Sequence, residues 1–326
     1  MSANSTRGVR SERVHTDPAS DTNTCLERLC TATRDSIRVA PEEDGIERIE
    51  ARFKGKGFDP HRHDTYAIGL TLNGVQTFRY RGASHASLPG QIIVIHPDEL
   101  HDGGAGTEGG LRYRMIYVQP EDIRDALEAT GARSLPHLAD PVFTDPHLQA
   151  ILRDCLEDMD SEMGGLKRSS FLGEIATGLC RVGDTGSGDT SSMDWAALEE
   201  CAGFLKECFR DPVRVSDLER IADLDRFTLS RQFKRAYGTS PHRYLLMRRL
   251  GHAKQMLANG NPLADAAIES GFADQSHMNR HFRRAFGMTP GAWRQLTATD
   301  TAIDLGYGPI NEADLAAEMA KSREEA

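Results

Sequence analysis

The sequence predicts an α+β protein of two unlike domains, a β-rich N-terminal domain with trailing helices and an all-helical C-terminal domain. Short runs of alternating apolar residues continue to about Val118, which is typical of half-buried strands. Amphipathic helical patterns follow from Asp122 onward. A segment that begins at Leu229 recurs 49 residues later, at Met278, so the helical domain contains two copies of one unit.

The chain of 326 residues is long enough for about two domains. Polar or acidic segments separate its folded parts. We expect a disordered N-terminus (1–24), a β-rich domain with trailing helices (25–182), a flexible linker (183–193), a helical domain (194–297) and an acidic tail (298–326). A short helix from Glu312 to Lys321 is expected within the tail.

The charge is distributed unevenly between the two domains. The whole chain has a net charge of −10, but the segment from Asp194 to Thr297 has 16 Lys and Arg against 12 Asp and Glu. That segment therefore has a net charge of +4, and the remaining residues have a net charge of −14. Such a contrast indicates a basic interaction module attached to an acidic domain.

The composition excludes several classes of protein. With 39% hydrophobic and 27% charged residues, the chain is neither a disordered polymer nor a membrane protein. No stretch approaches the roughly 18 apolar residues of a membrane span, and no apolar run follows the N-terminal arginines. We expect a cytoplasmic protein that does not bind membranes. The six cysteines have no C-x-x-C spacing, so we expect free thiols.

Period-two patterns predict the strands of the N-terminal domain. The alternating or continuous apolar runs are Ile49–Phe53, Tyr66–Leu72, Val75–Arg81, Ile92–Ile95 and Leu111–Val118. Asn73-Gly74, between the second and third runs, predicts a hairpin because both turn positions of a type I′ turn need positive φ. Short strands separated by turns are typical of a sandwich or small barrel. Helices are then predicted at Asp122–Thr130, His147–Met159 and Ser170–Val182.

Each copy of the repeat has the pattern of a helix-turn-helix. A short helix, Asp217–Ala222 or Asp265–Ser270, precedes a bend and a second helix that carries several arginines. Glycine is expected to end the second helix in the left-handed conformation, and a Ser-Pro or Thr-Pro pair to begin the next helix. Those positions are Gly238, Ser240-Pro241, Gly287 and Thr289-Pro290, and a helix from Pro241 to about Ala258 joins the copies.

The block from about Trp195 to Gln295, roughly a third of the chain, resembles the AraC/XylS-type DNA-binding domain of bacterial transcription regulators. Its most diagnostic run extends from Gly271 to Phe282. The resemblance implies seven helices, with the third and sixth in successive major grooves of promoter DNA. The residues implied to face DNA are Phe227, Thr228, Ser230 and Arg231 in the first recognition helix and Gln275, Ser276, His277, Asn279 and Arg280 in the second, with Lys234, Arg235, Arg283 and Arg284 directed at phosphates.

Two positions depart from the pattern of that family. The bend of the first motif has Asp223 where glycine is usual, but Asp tolerates the left-handed backbone better than most residues, so we expect the bend to form. Glu219 stands where a small residue is common, and we expect it to loosen the packing of the first motif.

The N-terminal domain resembles, less specifically, the cupin-like effector and dimerisation domain of the same family. The likeness lies in Pro60–Tyr66, Gly74, Pro89-Gly90 and Pro97–His101. It implies a small β-barrel whose mouth holds a small-molecule effector. The residues expected to line that site are His61, His63, Tyr66, Arg79 (or Arg81) and His101.

The histidines leave other interpretations open. His61 and His63 alternate on a strand, and His101, with His96 nearby, lies on a returning strand, so three imidazoles and a carboxylate would suit zinc or non-haem iron. Metal-binding cupins, however, have a glutamate where this chain has Ala67 or Ile68. We therefore expect no metal, no other cofactor and no catalytic residues. A regulatory metal, a catalytic metal and a purely structural role are the alternatives.

These features predict a sequence-specific transcription regulator, controlled by an effector in the N-terminal barrel. The resemblance implies activation through RNA polymerase rather than repression, and a homodimer. The alternative from the enzyme class is a metal-dependent cupin oxygenase or isomerase with a helical appendage. The repeated helix-turn-helix argues against it, and the sequence has no G-x-S-x-G, P-loop or H-E-x-x-H motif.

Overall fold

The computed structural model describes residues 35–41, 43, 45–128, 135–183 and 193–300. The predicted disordered N-terminus, the linker from 184 to 192, and the tail beyond residue 300 with its expected short helix lie outside the described residues. The described residues belong to one compact unit. The exact domain boundaries stay predictions.

The N-terminal domain contains two antiparallel sheets. The strands of the described residues are β1 (Ser36–Val39), β2 (Ile46–Phe53), β3 (Lys56–His61), β4 (Tyr66–Gly74), β5 (Gln76–Tyr80), β6 (Ala83–Ser87), β7 (Ile92–Ile95), β8 (His101–Ala105), β9 (Leu111–Val118) and β10 (Val142–Phe143). The six-stranded sheet has the order β1-β2-β9-β4-β7-β10, and the four-stranded sheet the order β3-β8-β5-β6. The inner faces of the sheets share one apolar core, but these strands do not close into a continuous barrel.

The hairpin predicted at Asn73-Gly74 is wrong. β4 pairs with β7 and β9, whereas β5 pairs with β6 and β8, so the chain passes from one sheet to the other at Gly74. Gly74 has a φ of 73°, and a Cβ there would lie 2.0 Å from the carbonyl oxygen of Gly110. The hairpin turn lies instead at Arg81-Gly82, where φ is 50° and 81°.

The helices lie where the sequence predicts them, except that the helix predicted to begin at Ser170 begins at Gly165, and the predicted end at Thr130 lies outside the described residues. The N-terminal domain ends with α1 (Pro120–Glu128), α2 (Pro146–Glu157) and α3 (Gly165–Val182). The described part of the C-terminal domain contains seven helices, α4 (Trp195–Glu207), α5 (Val215–Ala222), α6 (Arg226–Tyr237), α7 (Pro241–Ala258), α8 (Leu263–Glu269), α9 (Gln275–Phe286) and α10 (Pro290–Asp300). The third and sixth of these are α6 and α9, as the resemblance implied. None of the helices in the described ranges is long and apolar enough to cross a membrane.

The predicted helix ends are confirmed. Gly238 and Gly287 are left-handed, with φ of 70° and 69°. The Ser240 hydroxyl accepts a hydrogen bond from the N–H of Arg243 (3.4 Å), and the Thr289 hydroxyl accepts one from Ala292 (3.2 Å). Within the described residues the cysteines, Cys155, Cys180, Cys201 and Cys208, are free thiols as predicted; Cys25 and Cys30 lie outside that part of the chain.

The two faces of the six-stranded sheet pack against different partners. On β4, Tyr66, Ile68 and Leu70 belong to the core that the sheet forms with α1, α2 and α3. Ala67 points the other way, into a core that also contains Leu250 and other buried residues of the helices from α7 onward. A single apolar core therefore joins the N-terminal sheets to the C-terminal domain.

A buried carboxylate on β2 binds two arginines of β9. Glu50 accepts hydrogen bonds from Arg112 (3.1 Å) and Arg114 (2.7 Å), and its side chain is 2% exposed. Burial raises the pKa of this carboxyl, but the hydrogen bonds and charges of the two guanidinium groups outweigh burial and lower the pKa of Glu50 to about 2. Arg114 also donates to the carbonyl oxygen of Leu156 (2.6 Å), which satisfies the C-terminal end of α2.

Glu50→Gln should remove a pH-dependent part of the stability. The ordinary pKa is 4.5, so as the pH falls from about 5 towards 2 the unfolded state takes up a proton that the folded state does not, and the folded state loses stability. We expect the variant to be about 3 kcal/mol less stable at pH 7 and to lack this slope. Urea unfolding followed by circular dichroism between pH 3 and pH 7 measures both.

Asp154→Asn is the matched control. Its carboxylate pairs with Lys167 at 3.0 Å on the surface and is 69% exposed, so it should change the free energy of unfolding by less than about 1 kcal/mol. An unchanged pH slope in Glu50→Gln would contradict the role given to Glu50.

Candidate DNA-binding helices and the histidine cavity

The first helix-turn-helix, α5 and α6, is built as the sequence predicts. The left-handed residue at its bend is Asp223, with a φ of 50°. The carboxylate of Asp225 accepts hydrogen bonds from the N–H groups of Phe227 (2.9 Å) and Thr228 (3.2 Å), which fixes the start of α6. Glu219 adds a second cap, because its carboxylate accepts a hydrogen bond from the N–H of Arg226 (2.9 Å); the expected loosening of the first motif stays a prediction.

The second motif, α8 and α9, repeats this construction with other residues. Gly271 forms the bend with a φ of 78°, and Asp274 accepts a hydrogen bond from the N–H of His277 (2.7 Å). Each recognition helix thus starts at an aspartate cap and ends at a left-handed glycine.

The side chains predicted to contact DNA lie on these two helices, with most of the long ones in solvent. Phe227 is 72% exposed although it is a large apolar residue. The other exposed residues of the set are Arg231, Lys234, Arg235, Gln275, Ser276, Arg280, Arg283 and Arg284, and the half-buried ones are Thr228, Ser230, His277 and Asn279. The amide oxygen of Asn279 is buried and has no hydrogen-bond partner among the described residues.

The C-terminal ends of both recognition helices press against the N-terminal domain. A Cβ on Gly238, at the end of α6, would lie 2.7 Å from the Cβ of Pro97. A Cβ on Gly287, at the end of α9, would lie 2.7 Å from the carbonyl oxygen of Asp59 and 2.8 Å from Nδ1 of His61. These two glycines are therefore required for close approach as well as for backbone conformation.

Backbone hydrogen bonds attach α9 to the segment at the end of β3. The N–H of Asp59 donates to the carbonyl oxygen of Gly287 (2.9 Å), and the N–H of Arg62 donates to the carbonyl oxygen of Arg284 (3.1 Å). The carboxylate of Asp59 pairs with Arg283 at 2.5 Å. Arg283, which the sequence assigns to a DNA phosphate, is thus held by the N-terminal domain, although its side chain stays 62% exposed.

Most ion pairs between the domains place the acid on the N-terminal side and the base on the C-terminal side; among the described residues, Arg124 of α1 and Glu199 of α4 (3.8 Å) form a pair of the opposite sense. The most buried pair joins Asp64 to Arg248 of α7 at 2.6 Å, with side-chain exposures of 3% and 20%. Further pairs between the domains are Asp98–Arg243 (2.8 Å), Glu121–Lys206 (3.2 Å) and Glu47–Lys254. The sequence assigned no role to these residues, although the charge contrast between the domains is a signal from which ion pairs between them could have been predicted.

The cavity between the two sheets brings three of the predicted effector residues together. It is small, with a volume of about 40 Å³, and is lined by His61, His63 and His101 together with Gln76, Asp102 and several aromatic and aliphatic side chains. His61 and His101 are paired across β3 and β8, and their ring centroids lie 4.2 Å apart. If one nitrogen is taken from each of the three rings, these three nitrogens lie within 4.8 Å of one another. We call these residues the histidine triad.

Hydrogen bonds fix the tautomer of each ring in the triad. Nδ1 of His61, His63 and His101 donates to the carbonyl oxygens of Asp59 (2.8 Å), Thr65 (2.9 Å) and Glu99 (2.9 Å). Because a carbonyl oxygen only accepts, each neutral ring carries its proton on Nδ1 and a lone pair on Nε2. Nε2 of His63 is buried without a hydrogen-bond partner among the described residues.

The triad is uncharged at neutral pH. Burial lowers the pKa of His61 and of His63 well below the ordinary value, and the neighbouring histidines lower both further. Burial likewise lowers the pKa of His101 to about 4. All three rings are more than nine-tenths buried.

The structure does not bring the other predicted effector residues to this cavity. Tyr66 lies on the opposite face of β4, where its hydroxyl donates to the carbonyl oxygen of Pro136 (3.0 Å). Arg79 lines a separate, open groove on the outer side of the four-stranded sheet, and Arg81 donates to the carbonyl oxygen of Leu138 (3.1 Å). His96 is satisfied by the Tyr80 hydroxyl (2.8 Å) and the N–H of Leu138 (3.0 Å).

Comparison with known proteins assigns both domains. Residues 45–176 match the AraC-like ligand binding domain, and residues 218–296 match a helix-turn-helix domain. The chain is 28% identical over 235 residues to the HTH-type transcriptional regulator YbfI of Bacillus subtilis, covering 71% of this chain and 86% of YbfI. It is 26% identical over 275 residues to the HTH-type transcriptional activator RhaS of Escherichia fergusonii, covering 80% and 96%.

The chain belongs to the AraC family of transcription regulators. Among solved structures, ToxT from Vibrio cholerae superposes with a TM-score of 0.58 at 14% identity, covering 78% of this chain and 99% of ToxT. The predicted fold class is therefore confirmed, with a β-rich ligand domain before a helical DNA-binding domain.

Gly287→Ala should destabilise this AraC-family regulator. An alanine would adopt positive φ at a cost of roughly 1–2 kcal/mol, and its Cβ would displace Asp59 and His61. We expect a loss of roughly 2–4 kcal/mol in the free energy of unfolding, measured by urea denaturation.

Gly251→Ala is the matched control, because Gly251 lies inside α7 and a Cβ there meets nothing within 4 Å. Alanine favours the helix, so the control should gain up to about 1 kcal/mol. Equal stabilities of the two variants would contradict the close packing at Gly287.

Proposed function

We propose that this regulator reads promoter DNA with α6 and α9 and that a small molecule in the cavity of the ligand domain controls this binding. The observation that carries the proposal is the pair of matched helix-turn-helix motifs. The N-terminal halves of their second helices are exposed, and the C-terminal ends pack against the ligand domain. Recognition helices contact base edges chiefly through N-terminal residues. The ends held by the ligand domain are thus the ends that DNA reading does not require.

The chemistry of the exposed residues suits specific contacts. Arg231 and Arg280 suit bidentate bonds to guanine, Gln275 and Asn279 suit adenine, and Phe227 suits a thymine methyl group. The exposed basic residues near the C-terminal ends of the two helices suit phosphates. The unpartnered amide oxygen of Asn279 supports a role in binding, because a buried polar atom without a partner is costly in the free protein.

The effector is proposed to contact the histidine triad rather than Tyr66 or Arg79. Differential binding of the effector to two arrangements of the domains would change DNA affinity. We further propose that the protein acts in the cytoplasm as a homodimer, that it activates transcription through RNA polymerase, and that it has no enzymatic activity. The membership in a family of regulators and the similarity to the activator RhaS support these points.

Selection of bound sequences from a random DNA pool by the full chain tests the proposed function. We expect one enriched motif with two contact blocks about 10 base pairs apart, and an affinity that falls steeply with salt. Binding without enrichment would contradict specific recognition.

Arg231→Ala and Arg280→Ala should each relax specificity at one base pair of the selected motif, at a cost of roughly 1–3 kcal/mol in binding free energy. Lys234→Ala should weaken binding to all sequences alike and reduce the salt slope by about one. Lys167→Ala, on α3 of the ligand domain, is the control and should change neither quantity. Competition binding with each single-base variant of the motif measures these effects. The assignments fail if both arginine variants keep the full specificity.

A further inference from the structure

We propose that His61, His63 and His101 form a binding site for one divalent transition-metal ion, and that the ion sets the position of the two recognition helices. The first part stands on the geometry of the cavity alone. The second part rests on the proposed DNA-binding function.

The triad offers the donor set that such an ion needs. Hydrogen bonds to backbone carbonyls fix all three rings with the proton on Nδ1, which leaves the Nε2 lone pairs free to coordinate. A second-shell acceptor on the other ring nitrogen is the usual arrangement for a histidine that binds metal. Imidazole ligands suit zinc, copper, iron and nickel.

The distances are compatible with a single ion. At a metal–nitrogen distance of about 2.0–2.1 Å, tetrahedral ligands lie about 3.3 Å apart. One nitrogen of each ring already lies within 4.8 Å of one nitrogen of each of the other two rings, so small ring rotations and a small shift of the chain at 59–64 and 97–101 would complete the site. Three protein ligands leave one coordination position for water or an effector oxygen.

Without a ligand the triad is an unfavourable arrangement. Three neutral, buried rings lie side by side, and Nε2 of His63 is buried with no hydrogen-bond partner in the described part of the chain. His96 provides an internal contrast, because it is also buried but has both ring nitrogens satisfied. The absence of a carboxylate at Ala67 argued against a metal in the sequence; the common tautomer and the unpartnered nitrogen, which require the structure, argue for one.

The ligands come from the two chain segments that contact the C-terminal ends of the recognition helices. His61 and His63 lie in the segment 59–64, whose backbone and Asp59 side chain bind the end of α9. His101 ends the segment 97–101, whose Pro97 packs against the end of α6 at Gly238. The N–H of Asp98 donates to the carbonyl oxygen of His63 (2.7 Å), so the segments already touch. An ion bound by both would fix their spacing, and with it the spacing of α6 and α9.

Metal titration of the purified full chain, stripped with a chelator, tests the site. Zn²⁺ is titrated against a chromophoric chelator, and Co²⁺ is added to record its visible d–d bands. We expect one ion per chain, with an affinity at least 100-fold lower in His63→Ala and in His101→Ala. His85→Ala, a histidine of β6 outside the triad, should bind as the wild type does.

The results of this titration decide whether the histidine triad is a metal site. Loss of binding in the triad variants alone supports the site, whereas no stoichiometric binding by the wild type, or equal binding by all variants, overturns it. Circular dichroism verifies that each variant is folded. If an alanine variant does not fold, His63→Gln is measured in its place. Co²⁺ bands of the octahedral aqua ion in the wild-type sample would also overturn the site.

The affinity for the selected DNA, with and without Zn²⁺, tests the second part. We expect a change of at least fivefold in the wild type. Asp59→Asn should bind Zn²⁺ normally and respond less, because it lacks the ion pair with Arg283. Zn²⁺ binding without any change in DNA affinity overturns the coupling. Specific DNA binding without Zn²⁺ binding overturns only the metal site, and Zn²⁺ binding without specific DNA binding overturns only the proposed function.

Discussion

The contact between the ends of the recognition helices and the ligand domain constrains the rest of the structure. Gly238 and Gly287 allow α6 and α9 to approach Pro97 and Asp59 to distances that any Cβ would prevent. Because the same two glycines end the helices, one residue type at each position serves both the helix and the interface. The N-terminal halves of the helices stay exposed, so the interface fixes the geometry of DNA reading without covering the residues proposed to do it.

The charge contrast between the domains has two consequences in the structure. Part of the positive charge of the helical domain neutralises acids of the ligand domain, most deeply at Asp64 and Arg248. Replacing one partner of such a buried pair leaves an unpaired charge and is strongly destabilising. The other bases of α6 and α9 that are proposed to contact phosphates are exposed. Arg283 lies between these groups, since it contacts Asp59 while most of its side chain stays exposed.

Local sequence patterns predicted helices, caps and individual strands well, and predicted strand pairing poorly. The helix Pro241–Ala258 and the strand Leu111–Val118 have the predicted limits, because apolar periodicity and caps act within a few residues. Asn73-Gly74 has the composition of a hairpin turn, yet it joins strands of different sheets. The choice between a hairpin and a crossover depends on partners far away in sequence, here the close approach of Gly110.

In the candidate sites, too, some features follow from local sequence and others depend on contacts between distant parts of the chain. The sequence by itself determined the two helix-turn-helix motifs and the residues proposed to contact DNA, because spacing along one helix decides which side chains share a face. The sequence also placed His61, His63 and His101 in one site, and the structure brings these three together. Only the tertiary structure decided that Tyr66 lies on the far side of β4 and that the three rings share one tautomer. The physical reason is that the face a side chain reaches depends on how distant strands pair, and that a tautomer depends on which carbonyl each ring reaches. Neither is a property of local sequence.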